Sequence, residues 1–138
     1  MWPSAPRRPL AGLHLLVVDD ADAILLAYGE ILRRAGASVA TAGDGTDACT
    51  AYEEARRSGL PFDAVVLDYV MPGLDGVEAT ARLRGCGFEG PIVGISAEVT
   101  NEDEDRWLAA GCDRVVCKGL PSEELVSLIA AVCGRSYG

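Results

Sequence analysis

Five short apolar runs constrain what this chain can become. LHLLVV (13–18), ASVATA (37–42), DAVVLD (63–68), PIVGIS (91–96) and DRVVC (113–117) recur along 138 residues, with room for one helix between each pair. The intervening segments carry helical spacing. Ile24, Leu25, Tyr28, Ile31, Leu32 and Ala35 share one face before Gly36, a residue suited to end a helix. Ala48, Ala51, Tyr52 and Ala55 do the same from about Asp44, before Gly59. Val77 to Arg84 reads as a third helix, and residues 101 to 110 as an acidic fourth closed by Gly111. Pro121 opens a fifth, with Leu125, Leu128, Ile129 and Val132 on one face. Such alternation predicts an α/β fold, a (βα)5 unit whose parallel sheet is covered by helices on both sides. Right-handed crossovers leave few topologies. The common doubly wound order for five strands is 2-1-3-4-5.

The length suits one domain. Residues 1–11, rich in Pro and Arg, read as a tail or linker, 12–134 as the domain, and 135–138 as a C-terminal tail. Apolar residues make up 49% of the chain, enough for a core. No apolar stretch approaches a membrane span. The start, MWPSAPRRPLAGLHLLVV, lacks the order of a signal peptide, because its prolines and arginines precede a short apolar run that leads into Asp19 and Asp20. Cys49, Cys86, Cys112, Cys117 and Cys133 contain no CxxC pair, and His14 is the sole histidine, which argues against a zinc site. The thiols fit a reducing cytoplasm. One exposed reactive thiol is left open, with nothing in the sequence to argue for it. A net charge of −9 disfavours direct nucleic-acid binding.

The informative residues stand at strand ends. In an open parallel sheet, ligands bind outside the carboxyl ends of the strands, at the switch point. Strand 1 ends in Asp19 and Asp20, strand 3 in Asp68, strand 4 in Ser96, and strand 5 runs into Lys118, the sole lysine beside eleven arginines. Taken singly, each has a plain structural reading. Asp20 or Asp22 could cap the first helix and Asp75 the third, Ser96 could serve a turn, and Lys118 could be a solvated charge. Together they place three carboxylates, a hydroxyl and an ammonium at one edge. Crowded carboxylates repel unless a cation joins them, and a hard divalent ion such as Mg²⁺ suits an all-oxygen site. A strand-end Asp68 can act as nucleophile and form an aspartyl phosphate. The metal and Lys118 would then stabilise charge on the transferring group.

At this point the sequence resembles a receiver domain of two-component signalling. LLVVDD, VVLDYVMPGLDG, PIVGISA and GCDRVVCKG match the family's landmarks in order and spacing, over roughly residues 12 to 134. LAGLHLLVVDD and DGVEATARLR further resemble receivers attached to hybrid sensor histidine kinases. The resemblance implies a flavodoxin-like fold and a Mg²⁺-dependent phosphoacceptor rather than an enzyme, with slow loss of its own phosphoryl group. It implies that Asp68 accepts the phosphoryl group from a histidine kinase or a histidine phosphotransfer protein. Asp20, Asp68 and the Val70 backbone carbonyl would hold Mg²⁺, Asp19 would act on it through water, Ser96 would hydrogen-bond the phosphoryl group, and Lys118 would pair with it. The implied setting is cytoplasmic, without nucleic-acid or membrane contact by this domain. A homodimer is left open, as is whether the chain is free or part of a larger one.

Two positions depart from the family pattern. Members usually have Pro after the lysine, with a cis bond; here Gly119 follows, and a cis bond without proline costs about 3–4 kcal/mol, so a trans Lys118–Gly119 bond is expected. Members usually have Tyr or Phe where Val115 stands, and valine has no ring to swing inward. These departures favour the alternative of a pseudo-receiver, a binding module that does not switch by phosphorylation. Retention of the pocket residues argues against it. A phosphatase of the haloacid-dehalogenase type would need a second Asp where Val70 stands. Trp107 reads as core packing, with a dimer contact as the alternative.

Overall fold

The central strand explains the architecture. In this computed structural model, which describes residues 8–68, 75–97 and 100–135, β3 (Ala64–Asp68) is buried along its whole length. A strand buried on both faces is apolar throughout rather than alternating. It lies between β1 (His14–Val18) and β4 (Ile92–Ser96); β2 (Ser38–Ala42) and β5 (Arg114–Cys117) form the edges. All pairs are parallel, in the order β2-β1-β3-β4-β5. The expected fold class and strand order are both observed.

Because side chains alternate across a strand, the sheet sorts its residues into two cores. Leu16, Val18, Val65, Leu67 and Ile92 face α2 (Gly45–Arg57), α3 (Gly76–Gly85) and α4 (Asn101–Ala109). Leu15, Val17, Val66, Val93 and Ile95 face α1 (Asp22–Arg34) and α5 (Ser122–Val132). Asp44 caps α2 by accepting from the Asp47 N–H (2.8 Å), and Asp75 caps α3 through the Glu78 N–H (2.9 Å), which satisfies donors a helix start leaves open. Asp20 and Asp22, the candidate caps of the first helix, do not cap α1. Its N-cap is Ala21, with no side-chain bond. Neither Asp20 nor Asp22 fills the role, because Asp22 is already inside the helix and Asp19 takes the Ala21 N–H (2.9 Å) instead.

Two features of the packing lie beyond the periodicity. The segment expected as a tail up to residue 11 is packed at its end: Leu10 is fully buried, and its N–H donates to the Ala35 carbonyl (2.9 Å). Trp107 is fully buried, in agreement with a core role. Its indole N–H donates to Thr80 Oγ1 (2.8 Å), whose hydroxyl donates to the Gly76 carbonyl (2.8 Å). The indole lies over Gly94, where an added Cβ would stand 2.5 Å from Trp107 Cζ2. A large ring on α4 therefore fills a gap that a glycine on β4 leaves. Gly94→Ala should lower stability by about 1–3 kcal/mol through overpacking, measured as a lower urea midpoint with an unchanged slope.

Candidate functional site

Strand register assembles the candidate site. Val18 is level with Leu67, so Asp19 follows beside Asp68. Asp68 is level with Ile95, which brings Ser96 next, and Ser96 is level with Cys117. The Lys118 N–H then donates to the Ser96 carbonyl (2.8 Å), extending the ladder past β5. All five strand-end residues named from the sequence thus come to one edge. The carbonyl of Val70, the remaining residue expected there, lies outside the described residues.

Burial and charge separate their environments. Asp19 is 2% exposed, Asp68 6% and Ser96 6%, whereas Asp20 faces solvent. One carboxylate oxygen from each of Asp19, Asp20 and Asp68 lies within 4.8 Å of the others. Lys118 Nζ stands 3.0 Å from Asp68 Oδ1. Burial pushes the Asp19 carboxyl above its ordinary range; the Ala21 N–H opposes this, and the Asp68 charge adds to it. Burial pulls Lys118 down, but its hydrogen bond with Asp68 and that residue's charge outweigh burial and raise it. The ammonium is therefore firmly held in the charged form.

Gly119 follows Lys118 through a trans bond, as expected, and takes φ +88°, a left-handed conformation that glycine adopts without strain. The lysine reaches Asp68 with this backbone. Val115 pairs with Gly94 and packs half-buried against the core that holds Trp107. Tyr28 lies on the core-facing side of α1, in agreement with its helical spacing. Its phenol is raised by burial, lowered by Lys118, and raised by Asp19 and Asp68. It thus lies within electrostatic reach of the pocket. An aromatic on the sheet-facing side of the helix after Asp20 was the available sequence signal.

The doubly wound order, with acids, a hydroxyl and a lysine at its switch point, is the architecture of receiver domains of two-component signalling. Residues 15–130 match the family model for the response regulator receiver domain, and the chain belongs to that family. The two-component response regulator ORR41 of Oryza sativa subsp. japonica is 33% identical over 122 residues, covering 86% of this chain and 92% of that protein. Probable histidine kinase 2 of Oryza sativa subsp. indica is 30% identical, covering 91% of this chain, and this chain spans 13% of that kinase's length. The solved structure of Vibrio cholerae chemotaxis protein CheY4 superposes with a TM-score of 0.79 at 28% identity, covering 88% of this chain and 99% of that one. Members of the family act as signalling switches and interact with histidine kinases or phosphotransfer proteins. Among the described residues, no helix is long and apolar enough to cross a membrane.

The donor set fits a hard cation. Carboxylate oxygens gathered at one partly open edge match the oxygen preference of Mg²⁺, which retains water on its free positions. Without a cation the cluster is a liability. Because the Asp19 pKa is raised on folding, the folded protein binds more protons than the unfolded chain between the ordinary value of 3.8 and the raised one. Stability from this group therefore falls as pH rises through that window. Asp19→Asn keeps an acceptor for the Ala21 N–H and removes the charge. In metal-chelated buffer at pH 7 the variant should melt higher than the parent, and the gap should close toward pH 4, followed by circular dichroism.

Proposed function

We propose that this domain takes a phosphoryl group from a histidine kinase or a histidine phosphotransfer protein onto Asp68. The observation that carries the reading is the placement of Asp68 at the buried end of the central strand, beside two further carboxylates and 3.0 Å from Lys118. A carboxylate oxygen of Asp68 attacks phosphorus, the bond to the donor histidine nitrogen breaks, and an aspartyl phosphate results. Lys118, freed from Asp68, pairs with a phosphoryl oxygen. The Ser96 hydroxyl donates to another. Asp20, Asp68 and the Val70 carbonyl would hold Mg²⁺ directly, and Asp19 through water. When bound, the ion supplies positive charge against the phosphoryl oxygens. Asp19, buried beside Asp68, would accept hydrogen bonds from the ion's water. The acyl phosphate is slowly lost to water, and the signal passes by protein contact in the cytoplasm, without contact to nucleic acid.

Val115 and Gly119 support a second reading, a pseudo-receiver that binds partners through the same fold without switching. Incubation with Mg²⁺ and acetyl phosphate, read by intact mass, separates the two. The first reading expects a single phosphoryl adduct in the parent protein, lost with chelator and absent from Asp68→Asn. Folded parent protein that accepts no phosphoryl group from acetyl phosphate, or from a panel of phosphorylated phosphotransfer proteins, would support the second.

A further inference from the structure

Of the five helices, α4 is the most lightly docked. α3 buries Gly76, Ala79, Thr80 and Leu83, and α5 buries Leu125, Val126, Ile129 and Ala130, whereas Trp107 is the one buried residue of α4. A helix with few buried contacts shifts at low cost, so its position rests on how that residue is held. Trp107 is held on two sides. Its ring lies against Gly94, two residues before Ser96 and on the same face of β4. Its N–H donates to Thr80 Oγ1 (2.8 Å), and that hydroxyl donates to the Gly76 carbonyl (2.8 Å). α3 is anchored independently, by the Asp75 cap (2.9 Å) and by Arg84, whose Nη1 donates to the Phe88 and Gly90 carbonyls (2.9 and 2.7 Å). Arg84 also holds the Gly111 carbonyl through Nε and Nη2 (3.1 and 2.8 Å), which fixes the chain just beyond α4. The indole bond thus joins the helix that follows Ser96 to the helix that follows Asp68.

We propose that the hydrogen bond from Trp107 to Thr80 is a latch that holds α4 in its resting position and so sets how readily the domain enters the phosphoryl-bearing state. The inference rests on Asp68 being the phosphoacceptor and concerns the regulation of that site. Donation from the Ser96 hydroxyl to a phosphoryl oxygen on Asp68 draws the end of β4 inward, and four residues separate Ser96 from the start of α4 at Asn101. The displacement therefore passes to α4. With Gly111 fixed by Arg84, α4 tilts about its far end, and the tilt carries Trp107 off Thr80. The indole N–H then gives up a buried partner, which is costly. The bond accordingly favours the resting conformer.

The sign of the effect separates a latch from ordinary packing. Thr80→Val keeps the shape of the side chain and deletes the acceptor for the indole. Both roles expect a less stable protein. A packing role alone expects phosphoryl acceptance that is unchanged or reduced. A latch expects acceptance to rise, because only the resting conformer is penalised and the competent fraction grows. Thr80→Ser keeps the hydroxyl and should preserve the parent behaviour.

The test is the initial rate of labelling by acetyl phosphate with Mg²⁺, read by intact mass, for the full chain, T80V and T80S, with the melting temperature of each. The expected result is that T80V melts lower yet labels about threefold to tenfold faster, while T80S stays near the parent in both. A second readout needs no substitution at Thr80. With the chain's other tryptophan replaced (Trp2→Phe), the Trp107 indole N–H gives a single ¹⁵N-correlated resonance. That resonance should shift, and its hydrogen should exchange faster with solvent, once excess acetyl phosphate has loaded Asp68. Folded T80V that labels at the parent rate or slower overturns the latch. So does an indole resonance that stays unmoved while intact mass shows the adduct. A parent protein that takes no adduct from acetyl phosphate or from phosphorylated phosphotransfer proteins overturns the phosphoacceptor reading itself, and the latch with it.

Discussion

A carboxylate at the buried end of a central strand is tenable because an ammonium group stands 3.0 Å away. Removing a charge from water is costly unless it is paired and hydrogen-bonded, and Asp68 lies beside a second buried acid, Asp19. Lys118 offsets part of that cost. It can do so because β4 and β5 stay in register and the ladder continues one bond beyond β5 to the lysine. The rest of the architecture serves this alignment, with two apolar layers clamping the sheet and fixing where each strand ends. One ammonium is not enough for three carboxylates. The deficit is what suits this edge to a cation.

The two departures from the family pattern have local structural answers. Gly119 takes a left-handed turn that a proline ring, fixed at negative φ, does not allow, yet Lys118 arrives at Asp68. Val115 leaves the site of the missing ring to smaller contacts, while the bulk on that side of the sheet is supplied from α4, where Trp107 lies over Gly94 and is tied to Thr80 on α3. The helix that follows Ser96 is therefore pinned by a buried hydrogen bond as well as by packing. Any rearrangement of α4 must keep or break that bond.

Much of the fold was legible because buried parallel strands and amphipathic helices write different periods into the chain. DAVVLD needs two covered faces, and Leu125, Leu128, Ile129 and Val132 need one. The pocket was legible through the same logic, since strand ends are where a doubly wound sheet gathers polar groups. What escaped notice were contacts between elements, for which a single sequence carries no period. The indole of Trp107 on Thr80 and Gly94 is of this kind. Asp20 and Asp22 are cap candidates by residue type alone, whereas the buried Asp19 holds the Ala21 N–H from within the pocket. Leu10 was hidden by its proline- and arginine-rich neighbours.

The central claim is that crowding of Asp19, Asp20 and Asp68 creates a divalent-cation site on which the function rests. Isothermal titration of metal-free protein with Mg²⁺ tests it most directly, with Asp20→Asn and Asp68→Asn measured alongside. One equivalent of Mg²⁺ bound by the parent protein, with affinity reduced tenfold or more in each variant (about 1.4 kcal/mol or more), is the predicted result. A parent protein that binds no Mg²⁺, or that binds it equally well after either substitution, would contradict the account.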